Sequence, residues 1–348
     1  MPTNKLYEGV SDWLQSAVET LSAAGMTVIA PTQGEPGVVN LTRVTSAEAI
    51  AERYDNTLLP LKGQFFPITE TLLEFERCED GDVEIQTEPL PAPDEVIVLG
   101  CRPCDAAAMG TMDKVFQWDY DDVRYRARRD RATLVAFACT TPSPECFCTS
   151  VGGSPHGDEG SDVLVFGLGG DDSGGRVLLK VNTDKGRQFI DRLGDRVRPA
   201  SEGVQPPSPP ELARRFDTDA VKAWLDEGFD SDFWQQMALS CLGCGACSFL
   251  CPTCHCFDIV DEATWNRGQR RRNWDCCSFS LFTLHASGHN PRPEQFSRCR
   301  QRIMHKFKYF PERFGRIACV GCGRCIRACA AGRSLAEVLT EVDARQKG

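Results

Sequence analysis

The chain has 348 residues, 19 cysteines and a formal net charge of −10. That length suggests two domains, or three small ones, and is too great for a small disulfide-stapled scaffold. The opening stretch, MPTNKLYEGVSDWLQ, holds no apolar signal core, and no apolar run approaches the roughly 18 residues of a membrane helix, so cytoplasmic residence with reduced thiols is expected.

The charge is uneven. Residues 240–348 carry 17 Lys and Arg against 9 Asp and Glu, whereas residues 1–239 carry 22 against 40. A basic C-terminal half suits either nucleic acid or buried anionic cofactors. The cysteine pattern described below favours the second.

In chain order, the apolar periodicity of Val10, Trp13, Leu14, Ala17, Val18 and Leu21 predicts a helix over 8–24. Thr27–Ala30 reads as a short strand. Ser46 is an expected N-cap for a helix over 47–54. Leu58–Phe66 reads as irregular and Glu70–Phe75 as a short helix. The apolar run Glu95–Gly100 reads as a buried strand, followed by a helix from Pro103 through Val115. Further strands are expected at 133–138, 162–168 and 176–181, and a helix at 185–193. This alternation predicts an α/β domain over residues 1–200.

Five cysteines fall at the ends of these strands. Cys101 and Cys104 follow the first buried strand, Cys139 ends the second, and Cys146 and Cys148 come shortly after. Adjacent parallel strands would gather these thiols at one rim, where α/β sheets place their sites. Cys104, Cys139, Cys146 and Cys148 are the expected ligands of a third [4Fe–4S] cluster, with Cys101 as substitute. Zinc and buried free cysteines are the alternatives.

Residues 201–210 are linker-like, rich in Pro, Ser and Gly. Helices over 211–226 and 230–240 then lead to Cys241-Leu-Gly-Cys244-Gly-Ala-Cys247-Ser-Phe-Leu-Cys251-Pro252. A second copy is Cys319-Val-Gly-Cys322-Gly-Arg-Cys325-Ile-Arg-Ala-Cys329, followed by Ala330. The spacing C-x2-C-x2-C-x3-C is that of bacterial cluster sites, in which the fourth cysteine of each run serves the other cluster. Cys241, Cys244, Cys247 and Cys329 are thus expected to hold one [4Fe–4S] cluster, and Cys319, Cys322, Cys325 and Cys251 the other. Zinc sites pair two C-x2-C knuckles across a long gap, a poor match here. Residues 211–348 are expected to form a mainly α-helical domain with a two-cluster, ferredoxin-like module.

The segments Gly-Cys-Arg-Pro-Cys-Asp (100–105), Glu-Cys-Phe-Cys-Thr-Ser-Val-Gly (145–152), Cys-Pro-Thr-Cys-His-Cys-Phe-Asp (251–258) and Gly-His-Asn-Pro-Arg-Pro (288–293) carry a resemblance. Together they resemble the family of the sulfhydrogenase β subunit and its counterpart, the iron–sulfur subunit of anaerobic sulfite reductase, across about residues 50–335. Ala330 stands where a proline is usual. The resemblance implies a dicluster electron-transfer subunit, partnered by a flavoprotein that exchanges electrons with NAD(P)H. It also implies a terminal hydrogenase, sulfite reductase or heterodisulfide reductase-like subunit.

Other residues are set aside. Cys254, Cys256, Cys276, Cys277 and Cys299 read as supporting or packing thiols, and Cys78 as a lone thiol. His255, His285, His289 and His305 read as hydrogen-bonding residues. Arg270–Arg272 reads as a solvated basic run. Gly167–Gly170 lacks the context of a dinucleotide loop. The expected function is electron relay without catalysis by the chain alone, with neither nucleic acid nor membrane as partner. Two rivals remain: an iron–sulfur flavoenzyme whose N-terminal domain binds flavin or substrate, and an iron–sulfur sensor that binds nucleic acid through Arg267–Arg272.

Overall fold

A computed structural model describes residues 5–10, 12–87, 94–167 and 177–347. The first half is built on an eight-stranded sheet. Its strands are β1 (Lys5–Gly9), β2 (Thr27–Gln33), β3 (Val39–Arg43), β6 (Val96–Cys101), β7 (Ala132–Phe137), β8 (Val163–Phe166), β9 (Val177–Val181) and β10 (Val197–Pro199). Their order is β10-β1-β9-β8-β7-β6-β2-β3. The central β2, β6, β7 and β8 run parallel. These are the short, wholly apolar segments that burial on both faces demands.

Helices α1 (Trp13–Ala23) and α4 (Asp184–Leu193) cover one face, placing Trp13, Leu21, Phe189 and Ile190 on Ile97, Leu99 and Val135. Between them in sequence, α2 (Pro103–Phe116) and α3 (Val123–Asp130) cover the other, with Met109, Met112, Phe116 and Tyr125 against Val98 and Leu134. Pro103 opens α2, where its missing N–H costs nothing.

Several expectations change. The first helix starts at Trp13, because residues 5–9 pair with β9 and β10 as a strand of the sheet. The expected helix over 47–54 is a single 3-10 turn, Ala47–Ala49, although Ser46 does cap it by accepting from Glu48 N–H. Glu70–Phe75 is not a helix. It lies within β4 (Thr69–Arg77), which pairs with β5 (Val83–Thr87). Residues 168–170 of the Gly167–Gly170 stretch, and part of the strands expected over 162–168 and 176–181, lie outside the described residues.

The second half is helical around its cysteine runs but not uniformly so. Helices α5 (Thr218–Glu227), α6 (Phe233–Ala238), α7 (Ala246–Phe249), α8 (Gln295–Met304), α9 (Phe310–Phe314), α10 (Arg324–Arg327) and α11 (Leu335–Lys347) surround a core of Trp234, Phe307, Leu339 and Phe216. Between α7 and α8 a long hairpin intervenes, β11 (Phe257–Thr264) and β12 (Arg267–Trp274). Strand β12 pairs antiparallel with β4, so the second sheet, β11-β12-β4-β5, draws strands from both halves of the chain.

Arg272 is correspondingly buried on this sheet. It is paired with Glu70 at 2.5 Å and with Asp122. Arg267, Arg270 and Arg271 are paired with Glu76, Asp261 and Glu262. The basic run is not a free solvated face, and the stripe invoked for nucleic acid is neutralised by carboxylates.

Candidate metal centres

The first cysteine run crosses a tight loop. Gly243 and Gly245 adopt φ of 65° and 78°, a region that side chains disfavour, and this lets three thiols turn toward one cavity. Cys241, Cys244 and Cys247 line that cavity with Cys329, the last cysteine of the other run. Cys299 stands behind Cys241, and its donated hydrogen bond holds the Cys241 thiol down to about 5. Gln295 donates to the same sulfur at 3.3 Å.

The second run repeats the geometry, with Gly321 and Gly323 at φ of 63° and 73°. Cys319, Cys322 and Cys325 line a second cavity with Cys251, the last cysteine of the first run. Cys251 interacts electrostatically with each of the other three. Cys325 lines both cavities, so the two lie side by side.

Three buried cations stand around this second ring. Lys306 Nζ donates to Cys251 Sγ at 3.4 Å and to Ala318 O at 2.7 Å. It is turned inward on the single π turn His305–Tyr309, a local distortion common at functional sites. Arg302 donates to Cys254 Sγ at 3.2 Å and to Cys247 O at 2.6 Å. Lys62 donates to Cys254 O at 2.7 Å and lies 4.0 Å over the Trp274 ring, with burial pushing it down to about 8. Among the described residues no Asp or Glu forms an ion pair with any of the three.

Buried charge without a counter-charge is costly by several kcal/mol per ion. The only anion-forming groups around these cations are the thiols, whose deprotonation a metal enforces. The donor set therefore fits an anionic iron–sulfur group.

The N-terminal cysteines form a third group. Cys139 feels Cys146, Cys148 feels both, and Cys104 feels Cys139. Burial pushes Cys139 up to about 11 and Cys148 up to about 12. Cys101 is elsewhere. A register slip between Leu99 and Cys101, at Gly100 with φ of 83°, turns it into the core against Val98 and Met109. Among the described residues no three His, Cys, Asp or Glu side chains are grouped as a single-ion site.

The third group abuts the second ring through the backbone. Phe147 N–H donates to Gly321 O at 2.8 Å, and the Cys146 thiol donates to Cys322 O at 3.8 Å. A Cβ on Gly321 would stand 2.5 Å from Cys148 N. Arg324 lies between the two groups, donating to Asp105 at 2.8 Å and to Thr57 O at 2.7 Å.

The remaining thiols do not show as a group in the spacing. Cys254 contacts Cys251 and feels Cys256, while Cys277 donates to Cys256. His255 and His305 face each other at 5.3 Å between ring centroids, and burial pushes them down to about 3 and about 4. His285 and His289 face each other at the same distance in the 281–290 turns.

This geometry first defines a class. Residues 240–333 match the model of the 4Fe-4S dicluster domain family. Among named relatives, the chain is similar to the sulfhydrogenase 2 subunit beta of Pyrococcus furiosus, at 29% identity over 310 residues, covering 86% of this chain and 87% of the relative. By these similarities the chain is an iron–sulfur protein of the electron-transfer class, homologous to an oxidoreductase subunit. None of its described helices is long and apolar enough to cross a membrane.

Proposed function

We propose that the chain is the relay subunit of a cytoplasmic oxidoreductase complex and carries three [4Fe–4S] clusters. Cys241, Cys244, Cys247 and Cys329 hold the first, Cys319, Cys322, Cys325 and Cys251 the second, and Cys104, Cys139, Cys146 and Cys148 the third. Each cluster supplies a one-electron couple. The partners are a flavoprotein subunit that exchanges electrons with NAD(P)H and a terminal hydrogenase or reductase. The α/β domain, residues 1–200, carries the third site. The linker 201–210 leads to the dicluster domain, 211–348.

One observation carries this reading: Lys62, Arg302 and Lys306 are buried beside thiols with no carboxylate partner. Their charge makes sense only opposite a buried anion. The contact of the third group with the second ring, and of the second with the first, supports the relay order third, second, first.

Iron and sulfide counts on the full chain, purified without oxygen, test the proposal. Three cubanes require about twelve of each per chain. Cys104→Ser is expected to lower both to about eight, and Cys101→Ser to leave them unchanged. Iron of four or fewer, or stoichiometric zinc, overturns the dicluster reading. Iron near eight in the wild type removes the third cluster only.

A further inference from the structure

Four cysteines outside the three proposed rings collect at the base of the β11–β12 hairpin. The ladder ends with Phe257 opposite Trp274, and Asp275 N–H then donates to Cys256 O at 3.0 Å. The chain turns at once, so that Cys277 returns toward Cys256 and both line one small cleft with Cys254, His255 and His305. The Cys277 thiol donates to Cys256.

This contact differs from those within the rings, where Cys139 and Cys146, or Cys319 and Cys322, interact by charge across the group. Direct thiol contact recurs twice more, at Cys254–Cys251 and Cys299–Cys241. In both, one member is a proposed cluster ligand and is not free to bond elsewhere. Cys256–Cys277 uses no proposed ligand. Cys276–Cys277 is no substitute, because adjacent Cα atoms lie about 3.8 Å apart, short of the ~4.4 Å that a relaxed disulfide needs.

The pair also touches the relay. Cys254 links it to the second ring through Cys251. Cys276, which feels Cys277, reaches the first loop with its Sγ 3.9 Å from Gly245 O.

We propose that Cys256 and Cys277 form a dithiol–disulfide couple that stores two electrons drawn from the adjoining iron–sulfur sites. This rests on the cluster reading above. Reduction breaks the Cys256–Cys277 S–S bond, takes up two electrons and two protons from solvent, and leaves two thiols. The oxidant is a small-molecule disulfide. One protein thiolate attacks it and releases a small thiol, and the second protein thiolate displaces the other through the mixed disulfide. The couple thus joins one-electron carriers to two-electron sulfur chemistry.

The test uses the full chain, loaded with iron and kept without oxygen. Treat it with oxidised glutathione, then denature it in alkylating reagent and map the peptides, assaying iron in parallel. A Cys256–Cys277 crosslinked peptide is expected in most molecules, with iron retained. Reduced methyl viologen, a one-electron donor, should then remove the crosslink at least tenfold faster than in the same protein stripped of iron. Cys256→Ser should abolish the crosslink at unchanged iron content.

Separate alkylation of Cys256 and Cys277 in iron-loaded protein overturns the couple and leaves the cluster reading intact. Equal rates with and without iron overturn the electronic link. Iron loss in Cys256→Ser makes Cys256 a ligand and overturns the proposal. A chain that never loads iron sinks the cluster reading, and this proposal with it.

Discussion

Arg324, in the second cysteine run, donates to Asp105, beside the first cysteine of the N-terminal group, at 2.8 Å and with both side chains almost wholly buried. The pair ties the two halves of the chain where their proposed clusters approach. Breaking a buried pair by deleting one partner costs on the order of 3–5 kcal/mol, whereas apolar replacement of both is often tolerated. Asp105→Ala is therefore expected to lower the denaturation midpoint sharply, and Asp105→Leu with Arg324→Met to recover part of the loss. A double variant no more stable than Asp105→Ala would refute the pairing argument.

The crossed cavities predict the spectroscopy of cysteine variants. Cys251→Ser should change the EPR signal that Cys319→Ser changes, and Cys329→Ser the one that Cys241→Ser changes. If each variant instead perturbs the signal of its own sequence run, ligation is local and the crossed arrangement is wrong.

The buried cations predict a potential. A unit charge about 7 Å from a redox centre, at an effective dielectric near 20, is worth about 2 kcal/mol, or roughly 100 mV for one electron. Lys306→Met is expected to lower the potential of the second cluster in that range and that of the third much less. Redox titration followed by EPR reads both. Equal shifts at all sites would point to general loosening instead.

His255 and His305 predict the acid limit. Burial lowers both in the folded state, with the charges of Lys306 and Arg302 opposing the protonation of His305 and those of Lys306 and Lys62 that of His255. Below the unfolded value near 6.5 the unfolded chain binds protons that the folded chain refuses, so stability falls as pH drops, by up to about 1.4 kcal/mol per pH unit for each histidine. The decline should run from about pH 6.5 to pH 4 and be shallower in His255→Phe. Denaturant midpoints across that range, with iron monitored, would show whether the slope changes.

Gly321 predicts a steric effect. Its φ is positive, and a Cβ there would come within 2.5 Å of Cys148 N, which leaves no room for a side chain. Gly321→Ala should destabilise the chain by at least about 2 kcal/mol and expose the N-terminal thiols to alkylation, whereas Gly315→Ala, with open space around it, should suffer backbone strain alone. Denaturant midpoints and alkylation rates of the two variants make the comparison, and equal losses would refute it.

Spacing made the two cysteine runs legible, because ligand separation is a local property of a short loop. The parallel core was legible too, since β6 and β7 are short apolar runs that need no distant partner to be recognised. β4 was not. Its residues TETLLEFER suit a helix locally, and only pairing with β12, nearly two hundred residues away, makes them a strand. Arg272 failed for the same reason: its partners Glu70 and Asp122 are remote in sequence, so a run of three arginines looked solvated. Cys101 and Cys104 were separable only through the bulge at Gly100, which sends one thiol into the core.

The shared sheet also sets a timetable for biosynthesis. β4 ends at Arg77, and its partner β12 begins at Arg267. At 5–20 residues per second the ribosome needs roughly 10–40 s to supply that partner. For that interval the nascent N-terminal half has an unfilled strand position, and the Gly321 backbone that closes over Cys148 does not yet exist. Iron delivery to the N-terminal thiols thus has an open window during translation that shuts when the second cysteine run docks.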